Sequence, residues 1–268
     1  MKTLYRLTLV VVGMSCSSTA VNRSASPGTS LSPVDTLRLA TPAAGICRDG
    51  DALLVLESAG ERVLEFSNQL VPGETLPLTK RVAPARGIDA DRFYVYVYDD
   101  QTMFRMSKEK LELSAWLGNL RVSGMASYAP GEMLVSDAER GFILYKTVFG
   151  ESRRFLDAAD VSRPGALATL PDGQFCAVSG SNRLVFFNRS AVVLRSAPLP
   201  GGCDLLAADD RGGLYLVRRG VPVLWVIRNS RASSYELAGA GSPSGLALTQ
   251  DRIVILDADT RLLTYVLP

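Results

Sequence analysis

The chain has 268 residues, with 29 Lys+Arg against 27 Asp+Glu, no histidine and an apolar fraction of 47%. That fraction is ordinary for a globular protein, and the length suffices for one sizeable core or two. Lys2 and Arg6 account for the excess charge, so the remainder is neutral and lacks the basic stripe that a nucleic-acid partner needs. The missing imidazole excludes a Ser-His-Asp triad, a histidine general base and any His-ligated metal.

Residues 1–15 place Lys2 and Arg6 ahead of an apolar stretch (Leu7, Leu9, Val10, Val11, Val12), and small residues then lead to Cys16. This is the layout of a secretory signal peptide, too short for a bilayer span and not part of the fold. Its ending resembles a bacterial lipoprotein signal, although Gly13 stands where leucine is usual. The resemblance implies a lipidated Cys16 at the mature N-terminus, export to the bacterial cell envelope and a membrane anchor. Ser17 and Ser18 lean toward the outer membrane, with the body facing the periplasm or the surface. Residues 16–33 form the lipidated cysteine and a Ser-, Thr-, Ala- and Pro-rich stretch without apolar periodicity, which reads as a flexible tether.

The body, residues 34–268, repeats itself. A glycine followed by an apolar residue opens a short strand at Gly45, Gly87, Gly124, Gly165 and Gly245, with a degenerate start near Gly202, Cys203 and Asp204. A period near forty residues means a solenoid, a propeller or an array. Each unit adds a second run (132–136, for example), a third (142–147) and a more polar fourth (152–156). These are rich in Val, Ile, Leu, Phe and Tyr and bounded by turns such as Pro130-Gly131 and Pro171-Asp172-Gly173. Helical periodicity is lacking. The pattern predicts an all-β, six-bladed β-propeller with four antiparallel strands per blade. The last unit ends after three strands, and an orphan run at 35–41 precedes the first. That N-terminal strand is expected to complete the last blade and close the ring, removing an exposed edge.

Second and third strands meet through acidic turns, as in Ser136-Asp137-Ala138-Glu139-Arg140-Gly141 and Leu256-Asp257-Ala258-Asp259-Thr260. With the opening Pro243-Ser244-Gly245-Leu246-Ala247, this resembles the NHL-type six-bladed propellers over residues 35–268, although glycine and asparagine between strands are often replaced. The resemblance implies the fold and leaves function open, because propellers host unrelated activities. Amidating lyases of that group, paraoxonase-like lactonases and quinone-dependent sugar dehydrogenases all rely on histidines that are missing here. Gluconolactonase-like members hold a divalent cation with a glutamate, asparagines and an aspartate on inner strands. Here the inner strands offer only Asp89 and Asp204, too few oxygens for a hard cation that takes about 6–8. No metal, no other cofactor and no catalytic residue are expected.

Arg86, Arg121 and Arg163 precede the inner strands of three successive blades and are candidates to ring one channel mouth. Guanidinium groups so placed bind carboxylate or phosphate bidentately; the plainer alternative is solvated loop arginines. Asp89 and Asp204 either join them in a ligand site or face channel water. Tyr94, Tyr96 and Tyr98 share one strand face and read as packing between blades. Arg218 and Arg219 read as edge charges that suppress strand pairing. Of Cys47, Cys176 and Cys203, the last two belong to neighbouring blades and are the pair suited to a disulfide, with buried inert thiols as the default.

The function expected from these features is a non-catalytic binding or scaffold propeller, anchored to an envelope membrane and docking an envelope protein. Two alternatives stand beside it. One is a metal-dependent, lactonase-like hydrolase. The other is a small-ligand or glycan-binding propeller using Arg86, Asp89, Arg163 and Asp204 at the channel mouth.

Overall fold

The computed structural model describes residues 22–23, 29–180 and 182–268. The signal peptide, Cys16 and most of the expected tether lie outside them. Six sheets, each a four-strand antiparallel meander, form a ring. Blade 1 runs from Ala43–Asp49 to Pro72–Pro77, blade 2 from Gly87–Ala90 to Leu113–Gly118, and blade 3 from Val122–Ala129 to Ser152–Leu156. Blade 4 runs from Pro164–Thr169 to Val193–Pro198, and blade 5 from Leu205–Ala208 to Arg231–Leu237. Blade 6 combines Pro243–Leu248, Arg252–Asp257 and Arg261–Val266 with the N-terminal strand Asp35–Arg38, which pairs antiparallel with Arg261–Thr264. The closure expected from the orphan strand is present. Helix is limited, among the described residues, to one short turn at Pro200–Gly202.

Period-two alternation explains how a flat blade buries both faces. In blade 1, Leu53 and Val55 join the cluster shared with blade 6, while Leu54 and Leu56 join the cluster shared with blade 2. In blade 2, Val95 and Val97 face blade 1, and Tyr96 faces blade 3 with Tyr94 and Tyr98 beside it. The tyrosine stripe is therefore inter-blade packing, as its alternation implies. The core is six apolar layers, one between each pair of adjacent blades, and not a single central cluster. Buried acids finish the second strands: Asp137 accepts the amides of Glu139 and Arg140, and Asp257 those of Gly241 and Ser242.

Because every blade repeats one antiparallel order, the ring has two chemically distinct faces. The turn face carries the connections from first to second and from third to fourth strands. The crossover face carries the second-to-third hairpins and the passages between blades. Two further segments, Asn22–Arg23 and Ser30–Leu31, pair in parallel with the outer strand of blade 5, at Arg231–Ala232 and Glu236–Leu237. The chain thus climbs that edge from the turn face toward the crossover face before it enters blade 6.

Candidate functional site

The inner strands converge on a central channel of about 270 Å³. Their closeness explains the glycines that mark the repeat. A Cβ on Gly124 would lie 2.4 Å from the Gly165 carbonyl oxygen, and one on Gly45 would lie 3.0 Å from the Gly87 Cα. Blade 5 breaks the pattern: its inner strand starts at Leu205, after the Pro200–Gly202 turn. Hydroxyls stitch the strands where side chains are small. Ser123 donates to the Pro164 carbonyl at 2.6 Å, and Ser136 to the Gly165 carbonyl at 2.6 Å.

At the crossover mouth, Arg86 makes a two-pronged ion pair with Asp100, at 2.7 and 3.1 Å. Arg121 approaches Glu139 at 3.9 Å. Asp204 accepts the backbone amide of Arg219 at 2.8 Å, and the Arg219 guanidinium lies 3.4 Å from the same carboxylate. Arg219 also donates to the Ser244 carbonyl at 2.8 Å, so it ties blade 5 to blade 6. A basin of about 640 Å³ opens over this mouth, lined by Arg86, Tyr98, Asp100, Arg121, Arg219 and Asp259 among others. Arg163 is exposed on the same face at the start of blade 4, has no ion-pair partner among the described residues and is not part of the channel lining. The expected set is thus split. Arg86, Asp89 and Asp204 share the channel, whereas Arg163 stands on the rim outside it.

Asp89 lies on the channel wall, and its one hydrogen bond comes from the Ala90 amide at 2.9 Å. Burial pushes its carboxyl up to about 7, opposed by that amide and reinforced by the Asp91 charge. Tyr98 reaches over Gly87, where an added Cβ would meet its hydroxyl at 2.4 Å. Burial raises this phenol too, with Arg219 lowering it and Asp89 raising it, so all three sense one another across the channel. At the turn-face mouth, Arg48 of blade 1 reaches Asp210 of blade 5 at 3.6 Å.

Three of these residues escaped sequence reasoning in their channel roles. Arg219 read as an edge charge, Tyr98 as packing, and Arg48 drew no attention. Each sits one or two positions from a strand end, a signal visible only once the inner strands are known. The disulfide expected between Cys176 and Cys203 is not formed: both are free, buried thiols in the apolar layer between blades 4 and 5. Sharing a layer satisfies them as small apolar groups. Burial raises both thiols, Cys203 to about 12, helped by the Asp204 charge. Cys47, buried against blade 2, is raised by burial and by Asp89 and Asp49. Among the described residues no three His, Cys, Asp or Glu side chains gather as a metal cage would require.

No family model matches this chain, and no curated protein matches it in sequence. Solved structures do match in shape. A streptogramin B lyase superposes with a TM-score of 0.62 at 13% identity, covering 87% of both chains. The calcium-binding protein regucalcin from Agrobacterium tumefaciens gives 0.62 at 14% identity, covering 89% of this chain and 95% of the other. A chain of a nidogen/laminin complex gives 0.65 at 15% identity, covering 78% and 86%. At these identities the likeness is one of fold: the chain is a six-bladed β-propeller with a loose NHL-type resemblance.

Proposed function

We propose that the protein is a non-catalytic binding propeller of the bacterial envelope, anchored through a lipidated Cys16, whose crossover face docks a protein partner. The observation that carries this reading is the set of exposed arginines around the crossover mouth. Arg86, Arg121 and Arg219 are paired with carboxylates that a partner's acidic groups can replace, and Arg163 is free to take one directly. Arginine forks favour such bidentate recognition, and rim charges govern encounter and selection more than raw affinity. The nidogen/laminin neighbour is a propeller found in a protein complex, which fits the reading. The anchor rests on the residues before Cys16 and remains part of the proposal.

Two other readings are weaker. A divalent-metal hydrolase finds only Asp89 and Asp204 along the channel, and Asp204 is already held by Arg219. A small ligand inside the channel draws support from Asp89 and Tyr98, but the space is about 270 Å³, below the roughly 300–1,000 Å³ of ordinary ligand pockets. The test is mild cross-linking in native membranes, then detergent solubilisation and affinity recovery. A stoichiometric partner is expected with the native chain, and its recovery should drop at least tenfold with Arg86→Glu plus Arg163→Glu. Recovery of the propeller alone, or undiminished recovery by the double variant, rules this docking face out.

A further inference from the structure

The two faces differ in a second way. Phe149 is 94% exposed, in the third-to-fourth connection of blade 3, and Phe93 is 49% exposed, in the first turn of blade 2. Val71 and Val192 lie in the third-to-fourth connections of blades 1 and 4, and Leu194 follows just inside the outer strand. Val266 ends the third strand of blade 6, and Val34 immediately precedes its outer strand. All of the markedly exposed large apolar side chains among the described residues therefore sit at turn-face ends of strands, and none at the crossover face. The connections that present the phenylalanines are rigidly held. Asp91 accepts the amides of Phe93, Tyr94 and Gly131 and the Tyr96 hydroxyl, locking the first turns of blades 2 and 3 together. Arg105 ties the Val148 carbonyl beside Phe149.

The path of the chain says what covers this face. Asn22 pairs with Arg231, the first residue of blade 5's outer strand and hence its turn-face end. The pairing is parallel, so the residues preceding Asn22 continue on the turn-face side. Cys16 is six residues earlier, a covalent reach of at most about 20 Å.

We propose that the turn face is a lipid-contacting face, laid on the bilayer surface with Phe149 and Phe93 in the headgroup region. The inference rests on the anchor reading of Cys16, and it orients the molecule. A short leash from the turn-face edge of blade 5 brings that face to the membrane, where isolated aromatic and aliphatic side chains are favoured at the interface. The arginine-lined crossover face then points into the aqueous compartment.

The experiment uses the full chain, acylated in a bacterial host and reconstituted into phosphatidylethanolamine/phosphatidylglycerol vesicles. Nitroxide labels are placed at Phe149→Cys and, on the opposite face, at Glu139→Cys; the three native thiols are buried and stay unlabelled. Relative to position 139, the label at 149 should show several-fold lower collision with a water-soluble nickel chelate and higher collision with oxygen. Equal nickel access at both positions, with acyl chains on Cys16 confirmed by mass spectrometry, overturns the lipid-facing assignment and leaves the anchor intact. A label at 149 shielded from both reagents marks a protein contact and equally overturns it. If the mass of the N-terminal peptide shows no acyl chains, the anchor reading fails by itself. The face is then judged on the unacylated chain, where nickel access at 149 must still fall when vesicles are added, or the proposal is wrong.

Discussion

Asp89 is the residue whose environment departs furthest from its ordinary chemistry. An unfolded aspartate titrates near 3.9, whereas burial in the channel wall holds the folded carboxyl up to about 7. Between those values the unfolded chain has released a proton that the folded chain keeps. The unfolded state binds fewer protons, so stability falls as pH rises through the window. Asp89→Asn removes this dependence. The variant should gain on the native chain between pH 5 and pH 8, by at most about 4 kcal/mol for a shift of three units, and by less where channel water screens the charge. Urea titrations at both pH values measure it, and parallel pH dependence in the two proteins would refute the assignment. Asp204, by contrast, has an arginine beside it and half-exposed surroundings. Two inner-strand acids that look alike in the sequence are thus opposite in character, because one has a partner and the other only its neighbour's amide.

At the scale of the strand, the repeat is legible because glycine does a steric job. Neighbouring inner strands approach so closely that Gly124→Ala would drive a methyl to 2.4 Å from a backbone oxygen in blade 4. That substitution is expected to cost on the order of 3 kcal/mol, since backbone on both sides must move. Gly118→Ala, where nothing lies within 4 Å, should stay within about 0.5 kcal/mol. Denaturant midpoints of the two variants check the contrast, and equal midpoints would show that the channel wall yields freely. The same argument explains the weak fifth repeat. The Pro200–Gly202 turn leads into Leu205 there, so the glycine marker is displaced although the blade is intact. Acid-ended second strands were also legible, because a buried carboxylate after an apolar run has to meet the amides of the turn that follows.

For the whole molecule, closure is the decisive event. The layer between blades 6 and 1 includes Leu39 from the N-terminal segment, 6% exposed, packed with Leu262, Val254 and Phe66. A chain beginning at residue 42 loses that side chain and the ladder to Arg261–Thr264. It should melt at a clearly lower denaturant concentration, by several kcal/mol on the scale of a large buried side chain plus its strand. A chain beginning at residue 33 should match the full-length protein. A synthetic peptide of residues 33–41 should restore part of the loss to the shorter chain. An unchanged midpoint for the shorter chain means that the ring holds without its clasp.

The repeat, the alternation of apolar residues and the orphan first strand were enough, by themselves, to determine six blades and the way they close. Those features are local: they need only a strand's two-sided burial, a turn's backbone and a glycine where strands crowd. What lay beyond reach depends on which distant loops share a face and which ends share a mouth. Arg219 beside Asp204, Tyr98 over Gly87 and Arg48 across to Asp210 are contacts that the ring creates between or within blades at its centre. The unpaired state of Cys176 and Cys203 was likewise decided by packing, since belonging to neighbouring blades does not aim two sulfurs at one another. The gathering of exposed apolar side chains on one face and of the arginine-lined mouth on the other is invisible in a linear reading. Neighbours in sequence alternate between the two faces along every strand, and only the common direction of six blades sorts them.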